Sequence, residues 1–174
     1  MSGISREEES YHAFVTARYA ALRRTAYVLT GNHHDAEDLL QTSLMKAAGV
    51  WGRISERPEP YVRRVMYHEN ISRWRRRRVA EEPLGAHDVV RDDDSERSWE
   101  RLMLTDALAR LTPKQRTVLV LRYYEDLTEA QAAAVMGVRP GTIKSQTRHA
   151  LMRLRQVAPD LLARADPVPE AAET

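Results

Sequence analysis

The sequence predicts an all-α chain: two small helical domains joined by an acidic, extended linker. Three observations carry this expectation. Apolar residues recur at helical period along most of the 174 residues, and no alternating strand pattern competes with them. The charge comes in blocks that the overall balance of +2 hides. Residues 53 to 78 hold nine basic and three acidic side chains, residues 79 to 100 two against eight, and residues 101 to 157 ten against four. Two basic blocks flanking an acidic one imply two surfaces that attract a polyanion and a segment that avoids it. Finally, Leu127 to Arg155 writes two short helices and the tight turn between them.

Taken in order, Ser5 followed by Glu8 reads as a capping box opening a first helix that carries Tyr11, Phe14, Val15, Ala21, Leu22 and Leu29. Gly31 and Asn32 stop it, and Asp35 is expected to cap a second helix bearing Ala36, Leu39, Leu40, Leu44 and Ala47, which ends between Gly49 and Gly52. The segment GRISERPEP reads as a turn-rich connection. From Pro60 a third helix runs through Tyr61, Val62, Val65, Met66 and Ile71 into the run Trp74 to Arg78. Between Val79 and Ser98 the apolar period disappears among Pro, Gly and crowded carboxylates, which marks the linker. Helical pattern resumes near Trp99 with Leu102, Leu104, Ala107, Leu108 and Leu111. It breaks at Thr112 and Pro113 and restarts through Val118, Leu119 and Leu121. The expected boundaries are therefore 5–78, 79–98 and 99–157, with a flexible tail at 158–174.

Within the last domain Thr128 caps a helix whose inward positions are Ala132, Ala133, Val135 and Met136, small enough for close crossing. Gly137 supplies a left-handed stop, and Pro140 with Thr142 opens the next helix, with Ile143, Ala150, Leu151 and Leu154 facing inward. Thr142, Lys144, Ser145, Arg148 and His149 face outward, a set of donors and cations suited to phosphates and base edges in a major groove. The pattern is that of a helix-turn-helix, which also occurs in helix pairs that merely pack.

Two further clusters stand out. The run Trp74, Arg75, Arg76, Arg77 follows aromatics Tyr61 and Tyr67 at helical spacing, and guanidinium groups with flat rings suit phosphates and unpaired bases. A solvated helix end with core tyrosines is the plainer reading. Asp35, Glu37, Asp38 and Gln41 share the second helix, where carboxylates in a first turn are expected on dipole grounds alone.

The absence of cysteine excludes a disulfide framework and a cysteine zinc site and suits a reducing compartment. No apolar run reaches the roughly 20 residues that cross a bilayer, so a soluble cytoplasmic protein is expected. His33 and His34 beside Asp35 are adjacent and thus diverge, with no ligand cluster to complete a metal shell. No phosphate-cradling glycine loop or nucleophile elbow is present, so no enzyme, cofactor, metal or small-molecule substrate is expected.

Four motifs in order carry a family resemblance: DAEDLLQTSLMKA at 35–47, PEPYVRRVMYHENISRWRRRR at 58–78, LARLTPKQRTVLVLRYYEDLT at 108–128 and MGVRPGTIKSQTRHALMRLR at 136–155. The chain resembles a bacterial RNA polymerase sigma factor of the extracytoplasmic-function group, and more narrowly its actinobacterial SigE-like type. The resemblance implies sigma domain 2 at 5–78, docking on the clamp coiled coil of core RNA polymerase through Asp35, Glu37, Asp38 and Gln41. It implies recognition and melting of the minus-ten promoter element by Tyr61, Arg64, Tyr67, His68, Asn70, Arg73, Trp74, Arg75, Arg76 and Arg77. It implies sigma domain 4 at 99–157, meeting the polymerase flap and reading the minus-thirty-five element through Lys144, Ser145, Arg148 and His149, with Arg139 and Thr142 near phosphates. An anti-sigma factor stands as a further candidate partner, and the acidic linker points toward the RNA path. The chain departs from the common pattern in three places. An acidic residue usual before the arginine run is replaced by the series Ile71, Ser72, Arg73, Trp74. His149 stands where arginine is frequent, and Ala132 where a larger aliphatic is common. A stand-alone helix-turn-helix regulator is the alternative, although such proteins generally dimerise and no dimerisation heptads are evident.

Overall fold

The computed structural model describes residues 6–79 and 104–159; the acidic linker, the capping Ser5 and the tail from 160 lie outside them. Among the described residues every regular element is a helix.

Helix α1 runs Arg6–Thr30, α2 His33–Ala48, α3 Trp51–Ile54 and α4 Pro58–Val79. Residues 104–109 form α5, followed by α6 at Pro113–Leu119, a π-helical turn at Val120–Tyr124, α7 at Glu129–Met136 and α8 at Pro140–Val157. The periodic apolar positions explain the packing. Leu22, Ala26 and Leu29 of α1 meet Leu39, Leu40, Leu44 and Ala47 of α2 and Val62, Met66 and Tyr67 of α4 in one buried cluster. Each fully buried leucine or methionine side chain stabilises this bundle by about 1.5–3 kcal/mol relative to exposure.

Four local readings are corrected. Asn32, not Asp35, caps α2: its Oδ1 accepts the Asp35 N–H at 2.7 Å while its Nδ2 donates to the Asp35 carboxylate at 2.8 Å. An extended backbone at Asn32 puts its short side chain over the first turn, which leaves Asp35 inside the helix. The connection after α2 contains the helical turn α3. Trp51 drives it, being 5% exposed, with its ring edge-on to Tyr11 at 5.0 Å and its indole N–H donating to Ser10 Oγ at 2.7 Å. Helix α4 begins at Pro58 rather than Pro60, because proline fits a first turn whose N–H groups have no helical partner. In the second half Leu104, expected inward, is exposed.

The capping expectation at Thr128 agrees with the structure, and Thr112, read only as a break, caps α6 in the same way. Each is a reciprocal box, with Gln131 and Gln115 respectively returning the bond to the cap. Ala132 is fully buried, so the small residue gives close packing at that crossing.

The second half does not stand apart from the first. Arg116 to Leu121 are all buried, so the end of α6 and the start of the π turn have no solvent face, while Lys114 before them and Tyr123 and Tyr124 after them are exposed. One side packs on α8, where Ala107, Leu108, Leu111, Leu119, Ala150 and Leu154 form a cluster that α1 also touches through Val28. The other side joins the first cluster, which Val118, Val120, Leu121, Ala132, Ala133, Met136 and Ile143 continue without a break. An apolar helix buried all round needs cover on both sides, and α1 with α4 supplies the second cover.

Candidate nucleic-acid and polymerase interface

The helix-turn-helix is built as its punctuation demands. Gly137 sits at φ 65°, ψ 35°, the left-handed region, and the Val138 N–H reaches back to the Ala133 carbonyl at 3.0 Å to close the helix end. Pro140 then starts α8, whose buried line is Ile143, Thr147, Ala150 and Leu154. Lys144, Ser145, Arg148 and His149 are exposed on the opposite side, Arg139 is exposed at the helix entry, and Thr142 is half-buried. Ser145 donates to the Thr142 carbonyl at 3.0 Å, which leaves both hydroxyls near the helix N-terminus. No described carboxylate pairs with Lys144 or Arg148, so these cations present a full charge outward.

Helix α4 divides the remaining candidates into three sets. Tyr61, Arg64 and His68 line a pocket of about 320 Å³ with Lys46, Val65 and Glu69, its walls drawn from α2 and α4. Lys46 pairs with Glu69 across this pocket and holds that carboxyl below its ordinary range. Tyr67 and Asn70 are buried instead. Burial drives the Tyr67 phenol well above its ordinary range, and Asn70 donates to the Leu29 carbonyl at the end of α1 at 3.3 Å. The arginine run splits by helical period. Arg75 and Arg76 are exposed, whereas Arg73 and Arg77 turn back onto α2. Trp74 is half-buried between the two directions.

That return brings together two sets of residues expected on separate surfaces. Arg77 grips Asp35 with two bonds, at 2.6 and 3.0 Å, and the guanidinium holds the Asp35 carboxyl down at about 2. Arg73 pairs with Asp38 at 2.9 Å. Glu37 accepts from the Tyr19 hydroxyl, which raises the phenol. Asp35 and Glu37 are thus engaged within the bundle, while Asp38 and Gln41 remain on the outer side of α2. Met45 completes that side. It is 74% exposed, four residues beyond Gln41, and sequence reading passed over it. The helical spacing Asp38, Gln41, Met45 was the available signal.

The model of Sigma-70 region 2 matches residues 14–79, and the model of Sigma-70, region 4 matches residues 101–154. The RNA polymerase sigma-E factor of Streptomyces coelicolor is 40% identical over 160 residues, covering 89% of this chain and 90% of the relative. The chain belongs to the extracytoplasmic-function sigma factors. The ECF RNA polymerase sigma factor SigL of Mycobacterium tuberculosis is 29% identical over 173 residues, covering 92% and 98%. Among solved structures, the sigma factor RpoE in complex with the anti-sigma factor NepR from Bartonella quintana superposes with a TM-score of 0.66 at 26% identity. That match covers 86% of this chain and 97% of RpoE. As a sigma factor the protein binds core RNA polymerase and promoter DNA and directs transcription initiation, and the stand-alone regulator is not favoured. No described helix is long and apolar enough to cross a membrane. Among the described residues no group of three or more His, Asp or Glu side chains is placed to hold a metal ion.

Sequence reasoning missed two residues of this sigma factor that tie its halves together, Arg63 and Arg116. Both lie inside quoted motifs, at 58–78 and 108–128, but nothing in those motifs marks them as ties, because the partners are carbonyls and carboxylates distant in the chain.

Proposed function

We propose that this sigma factor divides its work among three surfaces: the outer side of α2 docks on core polymerase, the α2–α4 pocket receives an unstacked minus-ten base, and α8 reads the minus-thirty-five element. The observation that carries the reading is the outward row Lys144, Ser145, Arg148 and His149, cationic and hydroxyl-bearing, on a helix whose other side is fully packed. On α2, Asp38, Gln41 and Met45 offer a carboxylate, an amide and an apolar anchor on one line, the mix expected of a small protein interface. In the pocket, Tyr61 can stack, Arg64 can meet phosphate and His68 can donate, contacts that together offset the few kcal/mol that flipping a base costs. Exposed Arg75 and Arg76 add phosphate contacts beside it. The protein supplies no chemistry of its own; it acts in the cytoplasm as a non-enzymatic subunit, and catalysis belongs to the polymerase.

Paired alanine variants test the division. Lys144→Ala with Arg148→Ala is expected to weaken promoter discrimination by about 1–3 kcal/mol per base contact while leaving a core-polymerase pull-down intact. Asp38→Ala with Met45→Ala is expected to reduce the pull-down itself. Equal losses in both assays for both pairs would contradict the division.

A further inference from the structure

The chain has six methionines and no cysteine. With no thiolate to react first, its thioether sulfurs are the groups open to a two-electron oxidant, and they attack peroxide without losing a proton beforehand. Burial sorts them sharply. Met66 is 0% exposed and Met136 9%, whereas Met152 on α8 is 47% exposed and Met45 on α2 74%. One turn to either side of Met45 lie Gln41, Thr42, Ala48 and Gly49, none with the bulk to screen a thioether. Leu44 and Ala47 take the buried side of the helix and leave Met45 on the solvent side.

Met45 also stands where a change of polarity has much to undo. It is the apolar member of the outward row Asp38, Gln41 and Met45, and an anchor of that kind contributes to an interface by leaving water. In the reaction with hydrogen peroxide the sulfur lone pair attacks one peroxide oxygen. An S–O bond forms as the O–O bond breaks, and the second oxygen leaves as water with both protons. The sulfur gives up two electrons and the peroxide takes them. The product sulfoxide is polar, and its oxygen needs a hydrogen-bond donor once it is buried against a partner.

We propose that Met45 is an oxidation site for hydroperoxides, and that its conversion to the sulfoxide weakens docking of the sigma factor on core polymerase. The second half of this statement rests on the reading of the outer side of α2 as the docking surface. The first half is a property of the free chain.

The full chain is treated with limiting hydrogen peroxide, the oxidant is destroyed with catalase, and peptide mass spectrometry reads each methionine. Met45 is expected to reach the sulfoxide before Met66 and Met136; oxidation of those two at the rate of Met45 would overturn the proposal. The chain oxidised at Met45 is then titrated with untreated core polymerase, and its affinity is expected to fall about tenfold, the loss of one hot-spot side chain. Methionine sulfoxide reductases acting on both epimers should restore it. Met45→Leu carries no sulfur there and, from whatever affinity it starts, is expected to lose none on treatment, while Met152→Leu responds as the parent does. An unchanged affinity in the oxidised parent, or an equal fall in treated Met45→Leu, would also overturn the proposal. Untreated Met45→Ala tells this failure from failure of the docking surface. Parent-like core affinity in that variant removes the docking assignment, whereas a weakened variant beside an insensitive oxidised parent removes the oxidation site alone.

Discussion

Two alanine substitutions four residues apart should move stability in opposite directions. Gly137 ends α7 at φ 65°, and a Cβ built there meets nothing within 4 Å. The cost of Gly137→Ala is therefore free of steric collision with neighbours and comes from the backbone alone, about 1–2 kcal/mol for an L-residue in the left-handed region. Gly141 lies in the first turn of α8, and a Cβ there also meets nothing within 4 Å. Gly141→Ala keeps the same open surroundings but places alanine in a right-handed helix, where it is favoured over glycine by up to about 1 kcal/mol and by less near a helix end. Urea unfolding followed by circular dichroism reads both. In a chain of this size each kcal/mol corresponds to a melting shift of roughly 2–4 °C. Gly137→Ala should thus lower Tm by several degrees while Gly141→Ala leaves it unchanged or raises it. Two shifts of the same sign, or no loss for Gly137→Ala, would refute the assignment of the penalty to the turn's handedness.

Other outcomes follow from the polar contacts. Asp35 has its folded carboxyl held at about 2 by Arg77, below the unfolded value. Its contribution to stability is therefore fully present above about pH 4 and lost as pH falls toward 2, and it is worth at most about 2 kcal/mol before solvent screening trims it. Asp35→Asn should destabilise the protein at pH 7 and flatten the stability curve between about pH 4 and pH 2; urea titrations at several pH values check both. Trp51→Phe removes the bond to Ser10 while keeping a ring against Tyr11 and Phe14, and should cost about 1 kcal/mol in the same assay. His149→Arg adds a permanent cation to the outer face of α8. In a binding titration of polymerase holoenzyme with promoter, it should steepen the plot of log affinity against log salt by about 0.9 if that cation meets a phosphate.

The elements that carry their own local instructions were legible in the sequence. Thr128, Gly137 and Pro140 each act on backbone within four residues of themselves, so capping and turn chemistry placed α7 and α8 correctly, and the break at Thr112 and Pro113 marked where α6 begins. Asn32 and Asp35 compete for one cap by similar chemistry, and the extended conformation that favours Asn32 is set by the turn after α1. Met45 stands in a legible row, yet a lone exposed methionine carries no signal until the burial of its neighbours is known. The turning back of Arg73 and Arg77 onto α2 depends on how α2 and α4 cross, which periodicity does not encode. The closure of the two halves was least legible. Charge blocks suggested separated surfaces, whereas the all-round burial of Arg116 to Leu121 is decided by contacts across dozens of residues.

This chain programs RNA polymerase at a bipartite promoter. Run-off transcription with purified core polymerase, with and without the added chain, on a template carrying both elements tests it most directly. A discrete transcript is expected that appears only when the chain is present and that is lost when the minus-thirty-five element is scrambled or Lys144 and Arg148 are replaced by alanine. Core polymerase giving the same products with and without the chain, on any promoter recovered from the chain's own genome, would contradict it.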